Sequence, residues 1–200
     1  YLTSGGNANS ALGDGRLIFN QVEQAATDTY LYDPNNPVPY LIDVSENEVN
    51  VPGNYKEVDL REDVLVYTSK VLQEDLLVVG DVFVEFYAAS SAEDTDWVVK
   101  ICDVDEEGNS VKLADGVLRA KFRNGFDRID LLTPGKIEKY VIHTSKIGNI
   151  FKKGHRIRLT ITSSADNLIF PNPNTGKGLG LEETSVKAEQ KIFTGGKYPS

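Results

Sequence analysis

The sequence predicts an all-β fold, a sandwich or jelly roll, and three observations carry that expectation. Short stretches rich in valine, isoleucine, threonine and aromatic residues recur from Val64 onward. Turn-forming residues separate these stretches, and almost nothing sustains a helical period. Several runs alternate apolar and polar residues, which in an extended chain sorts them onto two faces.

Taken in order, "LTSGGNANSALGDGRL" and "YDPNNPVPY" are dense in Gly, Asn, Asp and Pro and predict long loops. "DVFVEFYAASS" (81–91) puts Val82, Val84, Phe86 and Ala88 on one face, while Phe83 and Tyr87 make the other partly apolar, as in a central or doubly covered strand. "DWVVKICDV" (96–104), "NSVKLA" (109–114), "GVLRAKFR" (116–123) and "KIEKYVIHT" (136–144) fill the middle of the sheet. "GHRIRLTITSS" (154–164) is the cleanest strand, with Ile157, Leu159 and Ile161 for the core and Arg156, Arg158, Thr160 and Thr162 for water. "NLIFPNPNTGKGLG" reads as loop, and only "LEETSVKAEQ" (181–190) has helical character. Many short strands with local turns are what a sandwich or jelly roll requires.

A length of 200 residues with 40% hydrophobic content predicts one domain over 1–200. The net charge of -9 argues against nucleic acid or an anionic membrane as the main partner, since both would be repelled at long range. A single cysteine, Cys102, excludes an internal disulfide, and with only His143 and His155 beside it a zinc site is poorly supplied. No cofactor or metal is expected. No apolar run approaches the roughly 18 residues of a membrane span. The start at Tyr1, with neither methionine nor a basic, apolar leader, predicts a cut inside a longer protein.

"DVDEEGNSVKLADG" (103–116) matches the first half of a calcium loop, with Asp103, Asp105, Glu107 and Gly108 at the right spacing. The second half fails, because Ala114 stands where a bidentate glutamate should close the shell. The flanking patterns are strands, so a hairpin with "EEGN" at its tip is expected. "EDTDW" offers Glu93, Asp94 and Asp96 as paired carboxylates for acid–base work, against a turn in which Asp94 and Thr95 bond nearby backbone. No serine lies in a GxSxG elbow, neither histidine has a recognisable triad partner, and Cys102 sits in an apolar strand. Lys146, Lys152, Lys153, Arg156 and Arg158 could bind an anion, although a lysine-rich turn accounts for them equally. "TGKG" (175–178) lacks the spacing of a phosphate loop.

The run "EDTDWVVKICDVDEEGNSVKLADGVLRAKFR", then "NIFKKGHRIRLTITSS", then "NPNTG", resembles in order and spacing the C-terminal non-catalytic domain of X-Pro dipeptidyl-peptidase and cocaine-esterase-like (CocE/NonD) hydrolases. "LTSGGNANSALGDGRL", "YLYDPNNPVP" and "REDVLVYTS" fit the same domain, so the resemblance covers nearly the whole chain. It implies a galactose-binding-like jelly roll behind an α/β-hydrolase domain of the same polypeptide. The Ser-Asp-His triad would lie in that domain, before Tyr1, and no catalytic residue is expected in this chain.

In such relatives the stretch after "PVP" approaches the active site and can lend apolar groups to the acyl pocket. The resemblance therefore makes Tyr40, Leu41, Ile42 and Tyr55 the candidate pocket or domain-interface residues, with ordinary packing as the alternative. Here the loop "YLIDVSENEVNVPGNY" (40–55) is longer and more charged than the family's glycine-rich link. The chain also stops at "YPS", about where relatives add a last apolar strand, leaving an edge that a neighbouring copy in a homo-oligomer could cover. The parent's substrate stays open between a small ester, an amide and an X-Pro peptide. A rival reading is a carbohydrate-binding module, with Tyr30, Tyr32, Tyr40 and Tyr55 as stacking platforms. Burial against a catalytic domain would leave an apolar patch exposed on this chain taken alone.

Overall fold

The computed structural model describes residues 1–41, 53–178 and 184–200, and the described residues form an all-β sandwich. Its strands are β1 (Leu2–Thr3), β2 (Arg16–Leu17), β3 (Ala26–Tyr32), β4 (Leu65–Thr68), β5 (Leu76–Gly80), β6 (Phe83–Ser90), β7 (Asp96–Val104), β8 (Ser110–Arg119), β9 (Glu138–His143), β10 (Ile147–Phe151), β11 (Arg156–Thr162) and β12 (Ala188–Thr194). One sheet runs β1-β2-β4-β11-β7-β8 and the other β3-β12-β6-β9, with β5 and β10 paired as a separate ribbon. Among the described residues no helix is long and apolar enough to cross a membrane.

The core lies where the inward side chains of the two sheets meet. Trp97, Val99, Leu159 and Ile161 from one sheet join Tyr30, Phe86, Tyr140 and Ile192 from the other. At its centre the rings of Phe86, Trp97 and Tyr140 pack with centroids 5.4 to 5.7 Å apart, at the edge-on and offset geometries that aromatic quadrupoles favour.

β6 is central as expected, between β12 and β9, and buries Val84, Phe86 and Ala88. "NSVKLA" and "GVLRAKFR" merge into the single strand β8, which forms with β7 the hairpin expected from "EEGN". The Asp105 and Asn109 backbones close the turn, and Gly108 supplies its positive φ of 82°.

Three expectations need correction. The alternate face of β11 is not in water: Arg158, Thr160 and Thr162 are buried. A second layer, in which Val38, Tyr55 and Val58 pack on Val64 and Val66, covers the outer face of the six-stranded sheet. That layer brings Asp59 to 2.7 Å from the Arg158 guanidinium, and Thr68 accepts from Arg158 Nε at 3.1 Å, so the burial of the cation is compensated.

The helical reading of 181–190 also fails. Residues 181–183 lie outside the described residues, and β12 begins at Ala188. Ala188, Gln190, Ile192 and Thr194 point inward, and backbone ladders to β3 on one side and β6 on the other outweigh the local helix preference of "KAEQ". Lastly, the N-terminal region is not all loop. β3 is hard to read in the sequence because its inward set begins with a carboxylate, Asp28, which is fully buried and accepts from Ser4 Oγ, the Ala8 amide and Tyr67 OH, each at 2.8 Å.

Candidate functional site

The residues that could have carried chemistry are separated or already partnered. Asp94 and Asp96 are buried, while Glu93 is exposed. Asp96 holds Arg119 through two bonds of 2.8 and 2.9 Å, and Asp94 lies 3.3 Å from the Lys121 ammonium. Asn172 Nδ2 donates to both carboxylates, at 3.2 and 3.1 Å, so the pair ties a loop to β7. The bond expected from Asp94 to nearby backbone is replaced by a long-range one, since its Oδ1 accepts from the Lys121 amide, 27 residues away.

The acids of the calcium-like stretch diverge. Asp103 pairs with His155 Nδ1 at 2.8 Å, Asp105 folds back on the amides of Glu107 and Asn109, and Ala114 is in the core. The Asn109 side chain and those amides hold the Asp105 carboxyl below its usual range. His143 contacts Asp81 at 3.0 Å and stacks on Phe83. Burial pushes the Cys102 thiol up to about 12, where thiolate is scarce at neutral pH. The cations of 146–158 also separate, with Lys152 on Asp75, Lys146 near Asp81 and Arg158 on Asp59.

Of the four candidate pocket residues, Ile42 lies outside the described residues and the other three come together. Tyr40 is buried against Val98, Ala165 and Ile169. Its amide donates to the Asp166 carbonyl at 2.9 Å, its phenol donates to Asp115, and Lys112 donates to the phenol. Burial and the Asp115 contact push the Tyr40 phenol well above its ordinary range.

Tyr55 is fully buried, meets Tyr40 edge to face at 6.3 Å, and accepts the Leu41 amide on its phenol at 2.9 Å. Burial pushes the Tyr55 phenol up to about 12. Leu41, 37% exposed, is the one of the three whose side chain reaches the surface. Gly53 permits this approach, because a Cβ there would stand 2.7 Å from Leu41 Cβ. Tyr30 and Tyr32 are buried as well, so none of the four proposed stacking platforms offers a ring face to a sugar, and the carbohydrate reading loses its basis.

Sequence reasoning missed what lies next to this corner. Ile169 packs on Tyr40 and also lines a cleft of about 390 Å³ with Val117, Phe122, Leu168 and Phe170. Phe170 is 80% exposed, and Phe126, which packs on Phe122, is 85% exposed. On an acidic molecule this apolar surface is the kind of patch that marks an interaction site. Its signal was available in "NLIF", consecutive apolar residues inside a loop rich in Asn, Pro and Gly.

A family model described as the X-Pro dipeptidyl-peptidase C-terminal non-catalytic domain matches residues 1–200. Cocaine esterase of Rhodococcus sp. (strain MB1 Bresler) is 34% identical over 204 residues, covering 100% of this chain and 36% of that protein. The crystal structure of an aminopeptidase from a marine sediment Thaumarchaeota archaeon superposes with a TM-score of 0.83 at 28% identity, over 95% of this chain and 34% of that one. An α-amino acid ester hydrolase superposes with a TM-score of 0.76 at 26% identity, over 85% of this chain and 31% of the other. The chain thus spans about a third of the length of these relatives.

Proposed function

Because the chain belongs to the X-Pro dipeptidyl-peptidase C-terminal non-catalytic domain family, we propose that it is one domain of a larger serine hydrolase. In this reading it packs on an α/β-hydrolase domain of the same polypeptide and closes one side of its substrate pocket. Hydrolysis of an ester or amide bond through an acyl-enzyme would be carried out by the neighbouring domain. A galactose-binding-like jelly roll is the topology this reading expects of residues 1–200.

The observation that carries the proposal is the exposed apolar face of Val117, Phe126, Leu168 and Phe170, which Ile169 links to the Tyr40 corner. The face buries against the hydrolase domain, and Leu41, next to Tyr40 in the chain, meets the acyl group of the substrate. A buried apolar interface of this kind contributes through area removed from water, at about 25 cal/mol per Å² before association costs.

The test compares residues 1–200 with the full-length protein. The full-length protein turns over a nitrophenyl ester and the domain alone does not; turnover by residues 1–200 would refute the assignment. Phe126→Asp combined with Phe170→Asp places two carboxylates on the face, and loosens contact between the domains as read by limited proteolysis. Unchanged proteolysis and unchanged kcat/KM would remove this face from the reading.

A further inference from the structure

We infer that Lys112 and Asp115 are positioning residues for Leu41, and that through it they set which acyl groups the attached hydrolase accepts; the second half of this inference rests on the docking reading above. The argument begins in the backbone of β8. Residues three apart on a regular strand face opposite ways, so Lys112 and Asp115 should not meet. They do, because the β7–β8 register slips by one residue: Ile101 faces Ala114 while Cys102 faces Lys112, leaving Leu113 as the extra residue of a bulge. A bulge re-aims the side chains that flank it. Here it brings the Lys112 ammonium to 3.0 Å from the Asp115 carboxylate, on the sheet face away from the main core.

Tyr40 closes the triangle. Its hydroxyl receives a bond from Lys112 and gives one to Asp115, and the ammonium lies 4.2 Å from the centre of its ring. The backbone that follows is fixed twice, by the Tyr40 amide on Asp166 and by the Leu41 amide on Tyr55 OH. Leu41 is therefore the first surface residue after a segment held at the phenol, the ring and two amides. Packing alone does not call for this arrangement, since a phenylalanine at position 40 would fill the space against Val98, Ala165 and Ile169 equally well. The two charges, with side chains 20% and 19% exposed, hold the Tyr40 hydroxyl from both sides. What they add is direction.

The experiment is a mutant cycle in the full-length protein, read as the ratio of kcat/KM for a bulky-acyl to an acetyl nitrophenyl ester. Asp115→Asn and Lys112→Met each change that ratio by about tenfold, the scale at which pocket contacts discriminate apolar groups. Hydrogen exchange at the Leu41 amide speeds up in both variants, while exchange in β7 stays as it was. In a Leu41→Ala background the clamp substitutions change the ratio no further, which a general loss of stability would not reproduce. The positioning role is overturned if Leu41→Ala shifts the ratio and the clamp variants do not, or if their effects simply add. A Leu41→Ala ratio equal to that of the unmodified protein overturns the docking reading itself.

Discussion

Asp59→Ala tests whether the second layer seals the outer face of the six-stranded sheet. Asp59 is fully buried, and its Oδ2 lies 2.7 Å from Arg158 Nη1, whose side chain is 10% exposed. Removing the carboxylate leaves a guanidinium in a dry setting with, among the described residues, Thr68 Oγ1 on its Nε as the remaining side-chain partner. Breaking a buried pair from one side costs about 3–5 kcal/mol; taking the lower end, for the residual exposure of Arg158, gives about 3 kcal/mol. At roughly 2–4 °C per kcal/mol for a chain of this size, Tm should fall by about 6–12 °C. Thermal and urea unfolding followed by circular dichroism give both quantities. Replacing both partners, as Asp59→Leu with Arg158→Met, should recover all but about 1 kcal/mol, because no charge is then stranded. A single-mutant cost within the 0–1 kcal/mol typical of exposed pairs would mean that water reaches this face and that the second layer is loosely held.

Other outcomes follow from the same geometry. Ile192→Ala, at a fully buried position of β12, should cost about 2–5 kcal/mol in urea unfolding, and a loss under 1 kcal/mol would place it outside the core. Gly108→Ala, at a φ of 82°, should lower stability by about 1 kcal/mol through backbone strain, since the nearest atom to a Cβ there is 3.7 Å away and steric conflict is absent. Cys102 should resist thiol reagents at pH 8 until the protein unfolds, and rapid labelling of the native state would contradict its burial. Stability should be level up to about pH 9 and decline as pH rises towards 12. Burial raises Cys102 from 9.0 to about 12 and both Tyr55 and Tyr140 from 10.0 to about 12, so the unfolded chain loses these protons first. A urea midpoint that rises between pH 9 and 12 would reverse that sign.

The sequence made the fold class legible wherever one set of alternating residues was apolar, as in β6, β7 and β11. It misled where a buried polar side chain imitated a surface one. Arg158 and Asp28 are hidden because Asp59, Ser4, Ala8 and Tyr67 meet them, and those partners lie 24 or more residues away except Ala8, at 20. The "KAEQ" run failed differently, because pairing on both edges of β12 overrode its local preference. At the candidate site the tyrosines and Leu41 were found through resemblance. Lys112 and Asp115 were not, since their convergence depends on a bulge that no residue type announces. The "NLIF" loop does carry a readable signal, Leu168, Ile169 and Phe170 in a row inside irregular chain.

The place of β12 also governs how the molecule can be made. It lies between β3 and β6, yet it is the last strand among the described residues and β3 is the third. During vectorial synthesis the partner of Tyr30 and Tyr32 is about 160 residues away, and pairing over such separations forms slowly. The four-stranded sheet therefore stays split, with β3 apart from the β6–β9 pair, until residue 194 has cleared the ribosome. Before then the β3 and β6 edges that β12 will cover are open and the core is half built, which leaves the nascent chain exposed to aggregation.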